Sequence, residues 1–247
     1  MVRKHRGYSI VSILVALAIS LFLLAGVLSV YLSSKDTFNY QTALAATSEN
    51  ARFAIDDLRR ALFMTGRGLL ANESPFGTYG SGTLYDGGSG TGGDILTVIY
   101  AGGYDCQGNP VTTKSQQTFF VENDSQGNSA LKCMIDGNAS TKEPLVSGIE
   151  WMQVLYGVND DGDDYPNRYI PASQVNSEGV WDNVVSLRIG LVVSSGEFTI
   201  PQSARKIMPT GTQLPVLDQT FTIADDSRLY RTITTTIPLR NLTITER

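Results

Sequence analysis

The sequence predicts an α+β protein: a long N-terminal helix, half transmembrane and half amphipathic, packed on an antiparallel β-sheet head. Three observations carry this reading. From Ile10 to Thr65 there is no proline, and the only glycine is Gly26. From Asp94 onward the pattern changes to period two, in segments rich in Val, Ile, Thr and aromatic residues. No ten-residue helical signal alternates with those segments, which favours antiparallel pairing over βαβ units.

The chain opens with a basic leader containing Arg3, Lys4 and Arg6, followed by an uncharged run from Gly7 to Ser34. A helix needs about 20 apolar residues to cross a hydrocarbon layer, and Ile10–Leu32 meets that requirement. The basic leader predicts a cytoplasmic N-terminus with the rest of the chain exported. A cleaved secretory signal has an apolar core of only about 7–15 residues with an A-x-A site close behind it. Here the core is longer, and Ala43-Leu44-Ala45 lies well beyond its end. A plain single-pass anchor accounts for the hydrophobicity, but not for the glycine between leader and apolar run.

Past the membrane the apolar positions narrow to Ala51, Ile55, Leu58 and Leu62, with Glu49, Arg52, Asp56, Arg59 and Arg60 opposite. That spacing predicts a helix laid against a sheet, with Phe53 and Phe63 as flanking core residues. Gly66 and Gly68 end it. Between Gly77 and Gly93, 8 of 17 residues are glycine, a composition that predicts a loosely packed surface loop. Neither a P-loop nor a dinucleotide-binding fingerprint is present there.

The strands are expected at Ile95–Tyr100, Gln117–Glu122, Ala130–Ile135, Leu145–Val158, Asn183–Ser194, Asp218–Ile223 and Leu229–Leu239. Leu187, Ile189, Leu191 and Val193 should share one buried face. Pro238 stops the final, edge-tolerant strand. The two cysteines, Cys106 and Cys133, suit an oxidising compartment, where pairing is the default. Closing the loop between them would contribute roughly 3–4 kcal/mol. No C-x-x-C spacing points to a redox or metal site.

One acidic turn has two readings. Asn159, Asp161 and Asp163 place oxygen donors at alternate positions, like the start of a calcium loop. Against this, Gly162 comes two positions too early for an EF-hand, and Ile170 stands where the twelfth-position glutamate belongs. The other reading is an Asx/Gly turn between strands, which the incomplete ligand set favours; no other cofactor is expected.

Enzyme classes fare poorly. The only histidine is His5, in the leader, so an exported head cut free of it has no imidazole for nucleophile activation or zinc binding. Glu122, Glu150 and Asp182 are read as strand-edge charges rather than a catalytic carboxylate pair. Trp151 and Trp181 are read as packing residues, with a sugar platform as the alternative. The whole chain carries −5; 19 basic residues less Arg3, Lys4 and Arg6 leaves 16 against 24 acidic, or −8. With no Lys/Arg cluster in the head, direct nucleic-acid binding is not expected.

Arg6-Gly7-Tyr8-Ser9-Ile10-Val11, leading into the apolar helix, resembles the class III signal of type IV prepilins. Ser48–Leu58, Val146–Glu150 with Leu155–Asn159, Trp181–Ile189 and Thr234–Asn241 are similar to segments of PilW-type minor pilins. The resemblance implies a pilin-like subunit in three parts: residues 1–7 as leader peptide, 8–65 as stalk helix spanning the membrane at about 10–32, and 66–247 as head. A prepilin peptidase would cut between Gly7 and Tyr8 and methylate Tyr8. The expected function is type IV pilus assembly in a priming complex at the tip. Expected partners are other minor pilins, the major pilin, the inner-membrane assembly platform and a tip adhesin. Where the family carries a glutamate five residues into the mature chain, this sequence has Ser12. An unpaired buried carboxylate costs several kcal/mol, so a serine suits a subunit with no neighbour ahead of it. Two other functions share parts of this pattern: a type II secretion pseudopilin, and a permanently anchored calcium-dependent binding module.

Overall fold

The computed structural model describes residues 9–70, 72–77, 92–124, 127–163, 165–200, 209–224 and 227–241. Helix α1, Ile10–Met64, runs unbroken for 55 residues, or about 80 Å at 1.5 Å per residue. Ser9 caps its start, accepting the Val11 N–H, and the Thr65 N–H returns to Ala61 and Leu62 carbonyls at its end. Gly66 and Gly68 then turn the chain with φ of 82° and 69°. Residues 9–35 are all exposed, whereas Ala43, Thr47, Ala51, Ala54, Leu58, Ala61 and Leu62 are buried. One helix thus has two environments, set by where the head stops.

Among the described residues the head is two four-stranded antiparallel sheets and a hairpin. The first sheet joins β1 (Leu96–Ala101), β2 (Lys114–Asn123), β3 (Ser129–Ile135) and β4 (Glu143–Ser147) in chain order. The second contains β5 (Ile149–Val158), β6 (Arg168–Ile170), β7 (Val184–Thr199) and β10 (Arg228–Pro238), in the order β10-β7-β5-β6. A hairpin of β8 (Gln213–Val216) and β9 (Gln219–Thr222) lies over the second sheet. Both sheets turn their apolar faces to the distal half of α1, and one core cluster takes in Leu58 and Leu62 with Leu96, Phe119, Leu131, Met152, Leu187 and Ile189.

The structure departs from the sequence reading in some places and adds to it in others. The strand foreseen at Leu145–Val158 is two strands: at Gly148 (φ 75°) the backbone crosses from one sheet to the other. Gly148 donates to the Ser129 carbonyl in the first sheet, and its own carbonyl accepts from Ser194 in the second. Strands β6 and β8 and a seven-residue helix α2, Ala172–Glu178, were not foreseen. Phe53 is 44% exposed rather than core, and Ile55 only half-buried. The buried stripe follows small residues, Ala51, Ala54 and Ala61, which let the sheet approach the helix backbone. Leu187, Ile189, Leu191 and Val193 are all buried, as expected, but Val192 on the opposite face is buried too, under Val216, Ile223 and Tyr230. Gly190 permits that cover, since a Cβ there would stand 2.9 Å from Val216 Cγ1. Most of the Gly77–Gly93 segment, residues 78–91, lies outside the described residues.

Candidate assembly interface

The membrane half of α1 presents bare apolar side chains on every side, including Phe22 at 82% and Ile10 at 77% exposure. It is long and apolar enough to cross a membrane. Small residues break this surface at Ala16, Ala18, Ser20, Ala25 and Gly26, where a neighbouring helix can approach closely. Ser12 Oγ donates to the Ser9 carbonyl at 2.7 Å, so its hydroxyl is satisfied inside its own helix. A hydroxyl bonded this way needs no partner from outside, which a carboxylate at the same position would. Gly7 and Tyr8 lie outside the described residues, as does His5.

The other end of α1 is clamped. Asn241 Nδ2 donates to the Phe63 carbonyl at 2.6 Å, and the Arg240 guanidinium stands 5.0 Å over the Phe63 ring. Asn50 faces the sheet crossover: a Cβ on Gly148 would come within 2.8 Å of Asn50 Nδ2. Two of the segments noted in the sequence, around Gly148 and at Thr234–Asn241, therefore reach the head-bound half of the helix, and β7 packs on the same helix. Beside it lies a cavity of about 680 Å³, lined by Ala61, Phe63, Met64, Tyr100, Cys106 and Phe119 among others. Tyr100 donates its hydroxyl to the Tyr104 carbonyl at 2.9 Å, and burial, with Asp105 nearby, pushes its pKa up to about 12. Burial also raises the Asp57 carboxyl on the rim, against the lowering effect of Arg60 at 3.0 Å.

Cys106 and Cys133 form a disulfide that ties the loop after β1 to the middle of β3. The acidic turn is held by its own hydrogen bonds. Asn159 Oδ1 accepts from the N–H groups of Asp161 and Gly162, and Asp163 Oδ1 from that of Tyr165. Asp161 Oδ2 accepts from Asn167 Nδ2 at 2.9 Å, which lowers the Asp161 pKa. Asp160 and Glu178 both bind Arg168. These are the contacts of an Asx turn. Among the described residues no group of three His, Cys, Asp or Glu side chains is placed to hold a metal ion.

Of the carboxylates considered from sequence, Glu122 and Glu150 open on one cleft, while Asp182 sits apart in a 3-10 turn at Trp181–Asn183. Burial pushes the Glu122 carboxyl up, but hydrogen bonds from Lys142 and Lys132 outweigh it and hold the pKa below the usual range. Glu122 is thus an acceptor, not a proton donor. Trp181 packs on Phe76 and Tyr156, with ring centroids 5.5 and 5.0 Å away. Sequence reasoning missed Asp94, a buried carboxylate whose Oδ2 accepts the Val154 N–H at 2.7 Å. It also missed Arg228, which reaches Glu150 at 3.1 Å across 78 positions. Nothing local in the sequence marks either pairing.

A membrane-length helix, bare at one end and sheathed by antiparallel sheet at the other, is the architecture that the resemblance to pilins led one to expect. The family model for type IV pilus-assembly protein W matches residues 118–241, half of the chain. The chain belongs to that family. Among solved structures it is similar to a type IV-like pilin from Thermus thermophilus, at 15% identity and a TM-score of 0.46, covering 79% of this chain and 98% of the other. No curated protein matches the sequence.

Proposed function

We propose that this chain is a minor pilin that works by packing rather than catalysis, in a priming complex at the tip of a type IV pilus. Membership of the pilus-assembly family supports the pilus over the type II secretion system. The observation that carries the mechanism is the two-environment helix, exposed over residues 9–35 and buried from Ala43 on. In the inner membrane the exposed half is covered by lipid, with the leader in the cytoplasm and the head in the periplasm. On extraction into a fibre, lipid contacts are exchanged for helix contacts of similar apolarity, so the cost is small enough for an assembly motor to meet.

Cleavage between Gly7 and Tyr8 by a prepilin peptidase, with methylation of Tyr8, makes extraction workable by removing the basic leader. Partners are the other minor pilins, the major pilin, the assembly platform and a tip adhesin. Ser12, satisfied within its own helix, supports a position with no subunit ahead of it.

The test is Gly7→Val in the native host. Intact-mass measurement should find the variant retaining the leader and the wild type starting at a methylated Tyr8, and surface pili should fall in the variant. A wild-type protein that keeps Met1 would make the chain a permanent anchor. Normal maturation and piliation of Gly7→Val would end the processing argument. If Ser12→Glu leaves pilus number and the order of the minor-pilin complex unchanged, the tip assignment loses its basis.

A further inference from the structure

We propose that the cleft between the two sheets, walled by Trp151 and Phe221, is a binding site for a neutral sugar ring. It has a volume of about 370 Å³ and is lined by Glu122, Asn123, Ser129, Glu150, Trp151 and Phe221. That is the low end of the size range of small-molecule sites, roughly 300–1,000 Å³. The two rings meet at 61° with centroids 6.2 Å apart, forming a corner rather than a closed stack. Behind Phe221, Tyr230 packs at 5.8 Å and steadies the wall.

A pyranose has two kinds of surface. One is a flat patch of C–H bonds, which suits an aromatic face; the other is an edge of hydroxyls, each both donor and acceptor. The cleft offers both complements. Trp151 and Phe221 supply the faces, and the polar groups are fixed before any ligand arrives. Glu150 is held by Arg228 at 3.1 Å, with side chains only 11% and 21% exposed, and Arg228 also reaches Asn128 at 3.4 Å. Glu122 is held by Lys132 and Lys142 at 3.2 and 3.1 Å. Ser129 donates to Asn123 Oδ1 at 3.0 Å. Groups already locked lose little rotamer freedom on binding.

Charge decides between a sugar and the other ligand that aromatic rings and carboxylates suggest, an organic cation. Two carboxylates, Glu122 and Glu150, stand with three cations, Lys132, Lys142 and Arg228. Both carboxylates that line the cleft are thus already paired with cations of the protein, and among the described residues of its lining no other carboxylate is offered to an organic cation. What remains is a set of ionised acceptors and donors suited to an uncharged polyol. This inference stands on the cleft alone and is independent of the pilus reading.

Saturation-transfer NMR on the full chain, in a detergent without a sugar head group, tests it. The probes are methyl β-D-glucopyranoside, methyl β-D-galactopyranoside and tetramethylammonium. At least one glycoside should receive saturation at its ring protons with millimolar affinity. Removing a ring, by Trp151→Ala or by the bulk-preserving Phe221→Leu, should weaken it about three- to tenfold, the worth of one aromatic contact. No transfer to either glycoside overturns the proposal. So does transfer undiminished in Phe221→Leu, a variant that keeps the fold even where Trp151→Ala does not. Tighter binding of tetramethylammonium than of both glycosides would make the cleft a cation site instead.

Discussion

Reducing the Cys106–Cys133 bond should destabilise the head without changing its native structure, and the size of the effect follows from the chain. The two cysteines are 27 positions apart. Opening a loop of that length restores about 3.5 kcal/mol of entropy to the unfolded chain. For a domain of this size each kcal/mol moves Tm by about 2–4 °C, so reduction should lower Tm by about 7–14 °C. Native geometry should survive because the loop has a second tether: the Cys106 N–H donates to Gln117 Oε1 at 3.0 Å. Cys133 is fully buried, and a thiol there is a small apolar group that needs no partner. The penalty therefore falls on the unfolded state. The assay is calorimetry of the detergent-solubilised chain with and without reductant, beside a Cys106→Ala/Cys133→Ala double variant. Both should show the same drop with unchanged far-ultraviolet circular dichroism. A drop below about 1 kcal/mol, or a change in the native spectrum, would refute the assignment to loop entropy.

Leu58→Ala should cost about 2–5 kcal/mol, because Leu58 is fully buried between helix and sheets, whereas Phe53→Ala, at a ring 44% exposed, should cost only about 1 kcal/mol; urea unfolding of both variants measures the contrast. Tyr100 gives a pH signature: its folded pKa, about 12, lies above the unfolded value of about 10. Its contribution is therefore complete below pH 10 and lost as pH rises through 12. Tyr100→Phe should be less stable than wild type at pH 7, having lost the bond to the Tyr104 carbonyl, with the gap closing above pH 10; a constant gap across an alkaline melt series would contradict the burial of that phenol.

What the sequence disclosed depended on how local each signal was. The long helix was readable to within a residue of its end because Gly66 and Gly68 punctuate an otherwise unbroken run. Most strand positions were readable from alternation, the short β6 and β8 excepted, but not which sheet each joins. The pattern runs through Gly148 without a break, and only the left-handed turn there sends the chain across. Pro215 lies inside β8 and speaks against a strand, yet a two-strand hairpin tolerates it at its edge. The helix face was misjudged at Phe53 because large side chains drew the stripe toward themselves. In the fold alanines make the contact, since close approach of a sheet rewards small residues over large ones. Asp94, the Arg228–Glu150 pair and the gathering of Glu122, Glu150, Trp151 and Phe221 all depend on strand register, which no local pattern encodes.

The position of the family-like segments bears on how such a subunit is recognised. The bare apolar half of α1 is generic: Leu, Ile, Val and Phe in lipid or against another such helix gain nearly the same contacts whichever neighbour is chosen. On the proposed function, most of the choice of neighbour then falls to the head. The head is fixed to the stalk by Leu58 and Leu62 in the core, by the Gly148 crossover against Asn50, and by Asn241 and Arg240 on Phe63. These contacts lie on different elements around one stretch of helix, so stalk and head turn as one body. On the proposed function, rotating the stalk in a bundle would turn the head surface with it. On the proposed function, the matched segments act chiefly inside the subunit. They hold the angle at which the remaining head surface meets its partners.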